Sequence, residues 1–394
     1  MSGREHRQDE AGAAADLPGA ELARAFHQDV IAPLLARGLP GLRYAAARLD
    51  SGSDVLGLDD VMSRDHDWGC RLTLLLDAAD RAAVPQVGSL LERDLPSAYQ
   101  GLPVRFATTW DPAASHRVEV ATVGDFAASR LGVDPLRGLS VVDWLTLTGQ
   151  AVLEVTAGPV FTDQITELGR ARQVLHWYPP DVERYVLMAG WRGVSEDMPV
   201  HGRTAERGDE LGSRLLAAAV AARLMRLAFL LHRRWPPYAK WLGTLLAALP
   251  PAGDLAGLLL AGTAEARWQD REDALAKAAS LLLEVQRDQG FPAPAPAVTA
   301  FWDRPYRHIN PAIIHALKTG ISDPDVARLP PGTGSIEQWV HNADVLSHPH
   351  RRRAVAATYR AWLSQSPCPE TESHDPRLLY DDYLAERRKE MGHE

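Results

Sequence analysis

Ser51-Gly52-Ser53, followed twelve residues after Ser53 by Asp65-His66-Asp67 and then by Trp68-Gly69-Cys70 and Arg71-Leu-Thr-Leu-Leu-Leu-Asp77, is the stretch that decides the fold. A Gly-Ser turn ahead of two carboxylates at i and i+2, on the edge of an apolar strand, suits the holding of a polyphosphate and its metal. On a strand, residues i and i+2 share a face. The sequence therefore predicts that Asp65 and Asp67 point the same way and that His66 packs on the far side of the sheet. Two carboxylates about 6 Å apart repel by about 3 kcal/mol at an effective dielectric of ~20. In a partly buried cleft that repulsion asks for a divalent cation, and Mg²⁺ (or Mn²⁺) suits carboxylates combined with phosphate oxygens.

Upstream of this stretch, Leu22, Ala25, Phe26, Val30, Leu34 and Leu35 recur at helical spacing over 21–36. An extended run follows over 42–49, and 55–62 reads as a short helix or loop. Downstream, 81–91 suits a helix, and the β-branched runs 104–109 and 117–123 suit strands. Residues 20–135 thus read as a small α/β unit with a mixed sheet. Beyond Asp134-Pro135 the pattern becomes helical: 141–155, 163–174, 180–193, 210–234, 241–249, 271–286, 309–317, 335–346 and 351–363. Proline- and glycine-rich breaks, such as Leu249-Pro-Pro-Ala-Gly253 and Gly290-Phe-Pro-Ala-Pro-Ala-Pro296, separate these stretches. The expected class is α+β. A polar tail (1–19) precedes the sheet domain, a helical domain spans 136–365 in one or two sub-bundles, and a C-terminal tail or helix occupies 366–394.

The chain has 394 residues, of which 46% are hydrophobic and 24% charged, an ordinary globular balance. Its formal net charge of −9 argues against nucleic acid as a partner. Cys70 and Cys368 make no disulfide framework, and the first twenty residues carry no apolar core of a signal peptide, so a cytoplasmic location is expected. The longest apolar run, 215–222, falls far short of the ~20 residues of a membrane span.

A third acid comes from Val118-Glu119-Val120. Glu119 stands in a β-branched alternation with Arg117 and Ala121 on its own face, where it can accept a proton from an attacking hydroxyl or complete a metal site. Gly52 permits backbone angles other residues avoid. Ser53 adds a hydroxyl, and N–H groups at such a turn cradle phosphate oxygens.

A Gly-Ser turn, an Asp-x-Asp about a dozen residues on, and a lone acid on a later strand resemble the nucleotidyltransferase superfamily of DNA polymerase β, poly(A) polymerase and the kanamycin and lincosamide nucleotidyltransferases. Five further segments look like an uncharacterised bacterial family of nucleotidyltransferase-like proteins: Leu56-Gly-Leu-Asp-Asp60, Arg64-Asp-His-Asp-Trp-Gly69, Ala157-Gly-Pro-Val-Phe-Thr-Asp163, Gly208-Asp-Glu-Leu-Gly-Ser213 and Pro237-Tyr-Ala-Lys-Trp241. The resemblance covers roughly residues 20–350. It implies a small nucleotidyltransferase-fold sheet domain followed by a large helical domain, with the cleft between them. It implies that Asp65, Asp67 and Glu119 are catalytic and metal-binding, and that Gly52 and Ser53 contact phosphates. It implies further that Tyr238 and Lys240 hold the triphosphate, as a tyrosine and lysine of the helical domain do in poly(A) polymerase relatives. The implied reaction moves a nucleoside monophosphate from an NTP to a hydroxyl, releasing pyrophosphate. A small hydroxylated acceptor is the expected partner. The rivals are a nucleotide-binding or regulatory module without catalysis and a toxin-like transferase acting on RNA or protein.

Blander readings stand beside these. Lys240 also reads as a solvated lysine near a helix end. Arg223 and Arg226, three apart on one helix, read better as partners of carboxylates such as Asp209 or Glu210, and Arg203 as a loop residue. His66-Asp67 could belong to a His-Asp phosphohydrolase, but those carry the pair on a helix, whereas 72–76 reads as a strand. Trp68 lies where it could line a nucleotide pocket. Gly332-Thr-Gly-Ser335 lacks the lysine of a P-loop and suits a helix start capped by Ser335.

Overall fold

The computed structural model describes residues 17–64, 66–250 and 253–364. Residues 1–16 of the tail expected over 1–19, Asp65, and the C-terminal tail or helix expected over 366–394 lie outside the described residues.

Helices α1 (Gly19–Phe26) and α2 (Ala32–Gly38) flank a π-helical turn, His27–Ile31, where the sequence predicts one helix. Pro33, in the first turn of α2, has no N–H to give, and the register shift falls just before it. Strand β1 (Ala45–Ala47) is followed by β2 (Arg71–Leu76), helix α3 (Val84–Asp94), the hairpin β3 (Ala98–Tyr99) and β4 (Leu102–Pro103), then β5 (Arg105–Phe106), β6 (Ser115–Thr122) and helix α4 (Val123–Leu131). Thr122 caps α4, its hydroxyl accepting from Asp125 N at 3.3 Å.

The predicted helix over 141–155 is two helices, α5 (Val141–Thr146) and α6 (Gly149–Thr156). Thr148 starts the second one, its hydroxyl accepting from Ala151 N. Strand β7 (Val160–Asp163) then returns to the sheet, where the sequence predicts the beginning of a helix at 163. The sheet order is β5-β6-β2-β1-β7, with β2 and β6 parallel and the other neighbours antiparallel. The α/β unit expected over 20–135 is therefore completed by residues past 135. Val160-Phe161-Thr162 has the β-branched and aromatic character of a strand.

The two faces of the sheet serve different cores. Ala46, Leu72, Leu74, Leu76 and Val118 pack with α1, α2 and α3. Ala45, Ala47 and Leu75 pack with α4, α6 and the helical region. That region comprises α7 (Glu167–Val174), α8 (Pro180–Glu206), α9 (Glu210–Leu231), α10 (Ala239–Leu246), α11 (Leu255–Ala264) and α12 (Trp268–Asp288). The hairpin β8 (Val298–Ala300) and β9 (Arg307–Ile309) follows, and then α13 (Pro311–Thr319), α14 (Pro324–Ala327), α15 (Ile336–Trp339), α16 (Ala343–Ser347) and α17 (Pro349–Ser364). Helix α8 runs past its predicted end at 193 and keeps Pro199 inside it. Arg203 consequently lies in its last turn, 3.7 Å from Glu206, and not in a loop. Helix α11 lies where no helix is expected above, and its N-cap, Asp254, accepts from Gly257 N at 3.1 Å. Residues 335–346 form the two short helices α15 and α16, and Ser335 is the N-cap of the first. The architecture is α+β: one mixed five-stranded sheet with a large helical part.

Candidate functional site

The Gly-Ser turn is built on a buried ion pair. Arg48 leaves the end of β1, and its side chain is 2% exposed. Its Nε donates to Asp54 Oδ2 at 2.6 Å and its Nη2 to Asp54 Oδ1 at 2.9 Å and Ser51 O at 2.9 Å. The turn 50–53 is thus wrapped around one guanidinium. Gly52 has φ of +146°, and a Cβ there would fall 2.2 Å from Asp54 Oδ1 and 2.6 Å from Arg48 Nη2. Only glycine fits. Ser53 is half-buried, and its carbonyl accepts from Leu56 N and Leu58 N.

Asp67 is not on a strand. Residues Met62–Arg64 form a 3₁₀ turn, Asp67 has φ of 57° and Gly69 has φ of 147°, and β2 starts at Arg71. Asp67 therefore lies ahead of the strand that the sequence predicts it to share with Asp65. The reason is steric. The chain bends against the Phe106 ring, which a Cβ at Gly69 would approach to 3.0 Å, and Arg71 N closes the bend on Gly69 O at 2.8 Å. His66 is exposed in this bend and does not pack behind the sheet. Asp67 Oδ1 accepts from Thr109 N at 2.6 Å, which ties the bend to the loop after β5. Trp68 is half-buried against the α1–α3 core, with the Arg64 guanidinium 5.1 Å over its ring.

Glu119 sits on β6 opposite Thr73 of β2, and Arg117 sits opposite Arg71. Its neighbours Val118 and Val120 face the α1–α3 core, so Glu119 faces the other way, with Arg71 and Thr73. Helix α4 folds back over that face and delivers Arg130. Its Nη1 donates to Glu119 Oε1 at 2.6 Å and its Nη2 to Glu119 Oε2 at 2.5 Å, a two-pronged pair. Arg130 Nε donates to Asp50 Oδ1 at 3.1 Å, and Arg71 Nη2 donates to Asp50 Oδ2 at 3.0 Å. Arg71 Nη1 reaches Asp67 O at 3.2 Å. A continuous chain of contacts therefore runs from Asp67 through Arg71, Asp50 and Arg130 to Glu119. The structure links the Gly-Ser turn, Asp67 and Glu119 on one side of the sheet, but through two arginines that the sequence reading missed.

The electrostatics follow from this packing. Burial pushes the Asp50 carboxyl up, but Arg130, Arg71 and the Ser51 N–H outweigh it and hold Asp50 below the usual carboxylate range. Burial, then the nearby Arg48, pushes Arg71 down to about 10. Glu154 of α6, beside Asp50, is pushed up by burial and by the Asp50 charge.

A metal centre of three carboxylates is not assembled by these contacts. Both Glu119 oxygens are committed to Arg130, one Asp67 oxygen takes the Thr109 N–H, and Asp65 lies outside the described residues. Among the described residues no group of three His, Cys, Asp or Glu side chains is disposed to hold a metal ion. Of the expected set Asp65, Asp67 and Glu119, Glu119 is the member whose two oxygens an arginine already holds.

Tyr238 and Lys240 open α10. Tyr238 N donates to Gln150 Oε1 at 3.1 Å, and Gln150 Nε2 reaches Glu154 Oε1 at 3.2 Å. Asp50 N bonds Glu154 O, so α6 connects Tyr238 to the Asp50 network. Lys240 is exposed, with its Nζ 4.6 Å over the Trp241 ring. Asp60, in the loop after the Gly-Ser turn, has its pKa lowered by the Ser63 N–H and hydroxyl and, less, by the Lys240 charge. Arg223 pairs with Asp197 at 2.7 Å and Arg226 lies 4.0 Å from Glu337, so both pair with helical-region carboxylates, though not with Asp209 or Glu210. No helix among the described residues is long and apolar enough to cross a membrane.

Residues 144–242 match the family model described as a domain of unknown function, DUF4037. No curated protein matches the chain. Among solved structures, a nucleotidyltransferase-like protein from Exiguobacterium sibiricum 255-15 is similar at 15% identity over 68% of this chain and 78% of that one, with a TM-score of 0.30.

Proposed function

We propose that this protein is a nucleotidyltransferase that moves a nucleoside monophosphate from an NTP to a hydroxyl group of a small acceptor. The acceptor oxygen would bond to the α-phosphorus, the bond from the α-phosphorus to the bridging oxygen would break, pyrophosphate would leave, and the hydroxyl proton would pass to a carboxylate. The observation that carries this reading is the joining of three separate stretches, 50–54, 67–71 and 119 with 130, by contacts of 2.5–3.2 Å beside a glycine turn that admits no side chain. Guanidiniums in such a cluster suit phosphate oxygens. Gly52 and Ser53 would border the phosphates, with Tyr238 and Lys240 approaching from the helical side. Glu119 would receive the proton only when released by Arg130. Asp65 and Asp67 are the expected seat of Mg²⁺ or Mn²⁺, whose role is to offset charge on the triphosphate. The net charge of −9 favours a small acceptor over nucleic acid.

The Arg130–Glu119 pair also favours a second reading, a nucleotide-binding module without transfer. One experiment separates the two. The protein is incubated with each α-labelled NTP, Mg²⁺ and a panel of hydroxylated acceptors, and pyrophosphate and transferred label are followed. Turnover that Asp67→Ala abolishes, with an unchanged unfolding midpoint, supports the transferase. Full turnover in Asp67→Ala refutes the site. Tight NTP binding without any turnover leaves the binding module.

A further inference from the structure

Each of the three guanidinium nitrogens of Arg130 donates a hydrogen bond. Beyond the two bonds to Glu119, its Nε serves Asp50 Oδ1 and its Nη1 also serves Ser129 Oγ at 2.5 Å. The guanidinium lies over the Phe126 ring at 4.3 Å, and its side chain is only 14% exposed. Glu119 is the more open partner, with a side chain 37% exposed. If the pair parts, the carboxylate can swing toward solvent while Asp50 and Phe126 keep the guanidinium in place. The prongs then exposed are those that match a phosphate in the two-pronged manner. Without Glu119 the fork of Arg130 has no anion on it, and Arg71 and Arg130 share only the carboxylate of Asp50 as a hydrogen-bonded side-chain partner.

We propose that Glu119 occupies the fork of Arg130 as a phosphate would, and that this pair is a latch which the polyphosphate of an incoming nucleotide displaces. The inference rests on the triphosphate-site reading above. The exchange is anion for anion: two N–H···O bonds to carboxylate are replaced by two to phosphate, and the freed Glu119 carboxylate becomes available to accept a proton. Glu119 is then an internal competitor of the ligand before it is a participant in the reaction. That makes an opposite prediction from a carboxylate that only ligates metal. Neutralising Glu119 strengthens polyphosphate binding in the absence of metal.

The test is calorimetric titration of the full chain with inorganic tripolyphosphate in EDTA. Glu119→Gln is expected to bind at least about fivefold tighter than the wild type, the lower end of ordinary coupling between two ligands. Arg130→Gln is expected to lose binding, and the double variant to match Arg130→Gln. Arg130→Lys, which keeps the charge and loses the fork, is expected to bind more weakly than wild type and serves if Arg130→Gln does not fold. Equal or weaker binding by Glu119→Gln overturns the latch. If the wild type nevertheless binds NTP with Mg²⁺, the triphosphate site survives that result and only the latch falls. If neither the wild type nor Glu119→Gln binds tripolyphosphate or any NTP, both fall together.

Discussion

Asp54→Ala is the substitution that most directly tests how the Gly-Ser turn is held. The Arg48 side chain is 2% exposed and that of Asp54 is 9% exposed, so the pair is shielded from water. The change deletes two charge-assisted bonds, at 2.6 and 2.9 Å. The guanidinium keeps only the carbonyls of Leu49 and Ser51. Two bonds to a charged group contribute about 1.5–3 kcal/mol each, and breaking a buried pair from one side costs about 3–5 kcal/mol. The two figures agree, and a loss of about 3–5 kcal/mol of unfolding free energy is expected. Guanidinium-induced unfolding, followed by circular dichroism and tryptophan fluorescence, gives the number from the midpoint shift at constant slope. Asp94→Ala removes an equally well-formed but exposed partner of Arg93 and is the control, with no measurable change expected. A double replacement of Arg48 and Asp54 by apolar residues of similar volume should recover much of the Asp54→Ala loss, since no charge then remains buried. A loss under about 1 kcal/mol in Asp54→Ala would refute the claim that this pair shapes the turn.

Two further outcomes follow from packing elsewhere. Glu272 is buried, and burial pushes its carboxyl up to about 7 in spite of the Arg307 N–H it accepts at 2.9 Å. Between its ordinary 4.5 and 7 the native state holds a proton that the unfolded state has lost, so stability falls as pH rises through that window. Glu272→Gln should remove that slope and gain roughly 1–3 kcal/mol over wild type at pH 8, and unfolding midpoints from pH 4 to 8 check it; a difference independent of pH contradicts the assignment. Gly158→Ala would place a Cβ 1.7 Å from Arg48 O, where β7 meets the end of β1. It should cost at least about 1–3 kcal/mol, and a wild-type thermal midpoint would show that the two backbones are not in such close contact.

Much of the architecture was legible because periodicity reports burial directly. The β6 alternation of Val118 and Val120 with Glu119, and the apolar spacing of α1 and α2, read correctly for that reason. Misreadings arose where one residue overrides a pattern. Thr148 accepts an N–H of its own and restarts a helix inside an apolar run that reads as continuous. Pro199 sits inside α8 although proline normally argues for a helix end. Strand β7 was hidden because its four residues abut the helical pattern of α7. Its pairing with β1 comes from a tertiary contact across more than a hundred residues of chain.

The candidate site divides along the same physical line. Gly52 was legible, since a Gly-Ser pair between an extended run and a helical one marks a turn with special angles. Asp67 was placed on the wrong element because Trp68-Gly69 was read as part of a strand, and Gly69 is what lets the chain bend against Phe106. Glu119 poses the deeper problem. An acid in a β-branched alternation must be solvated, bound to a metal or paired with a cation, and its own sequence neighbourhood looks alike in all three cases. The choice is made by whatever the fold brings opposite it. Here that group is Arg130, which is eleven residues from Glu119 and eighty from Asp50, and it arrives only because α4 turns back over the face that Glu119 shares with Arg71. The same packing supplies both the cations of the proposed triphosphate site and the carboxylate that holds one of them. In the proposed reading Arg130 is already paired by the protein's own carboxylates, so anion affinity should be set by the difference between phosphate and Glu119 in one fork, not by the number of arginines around it.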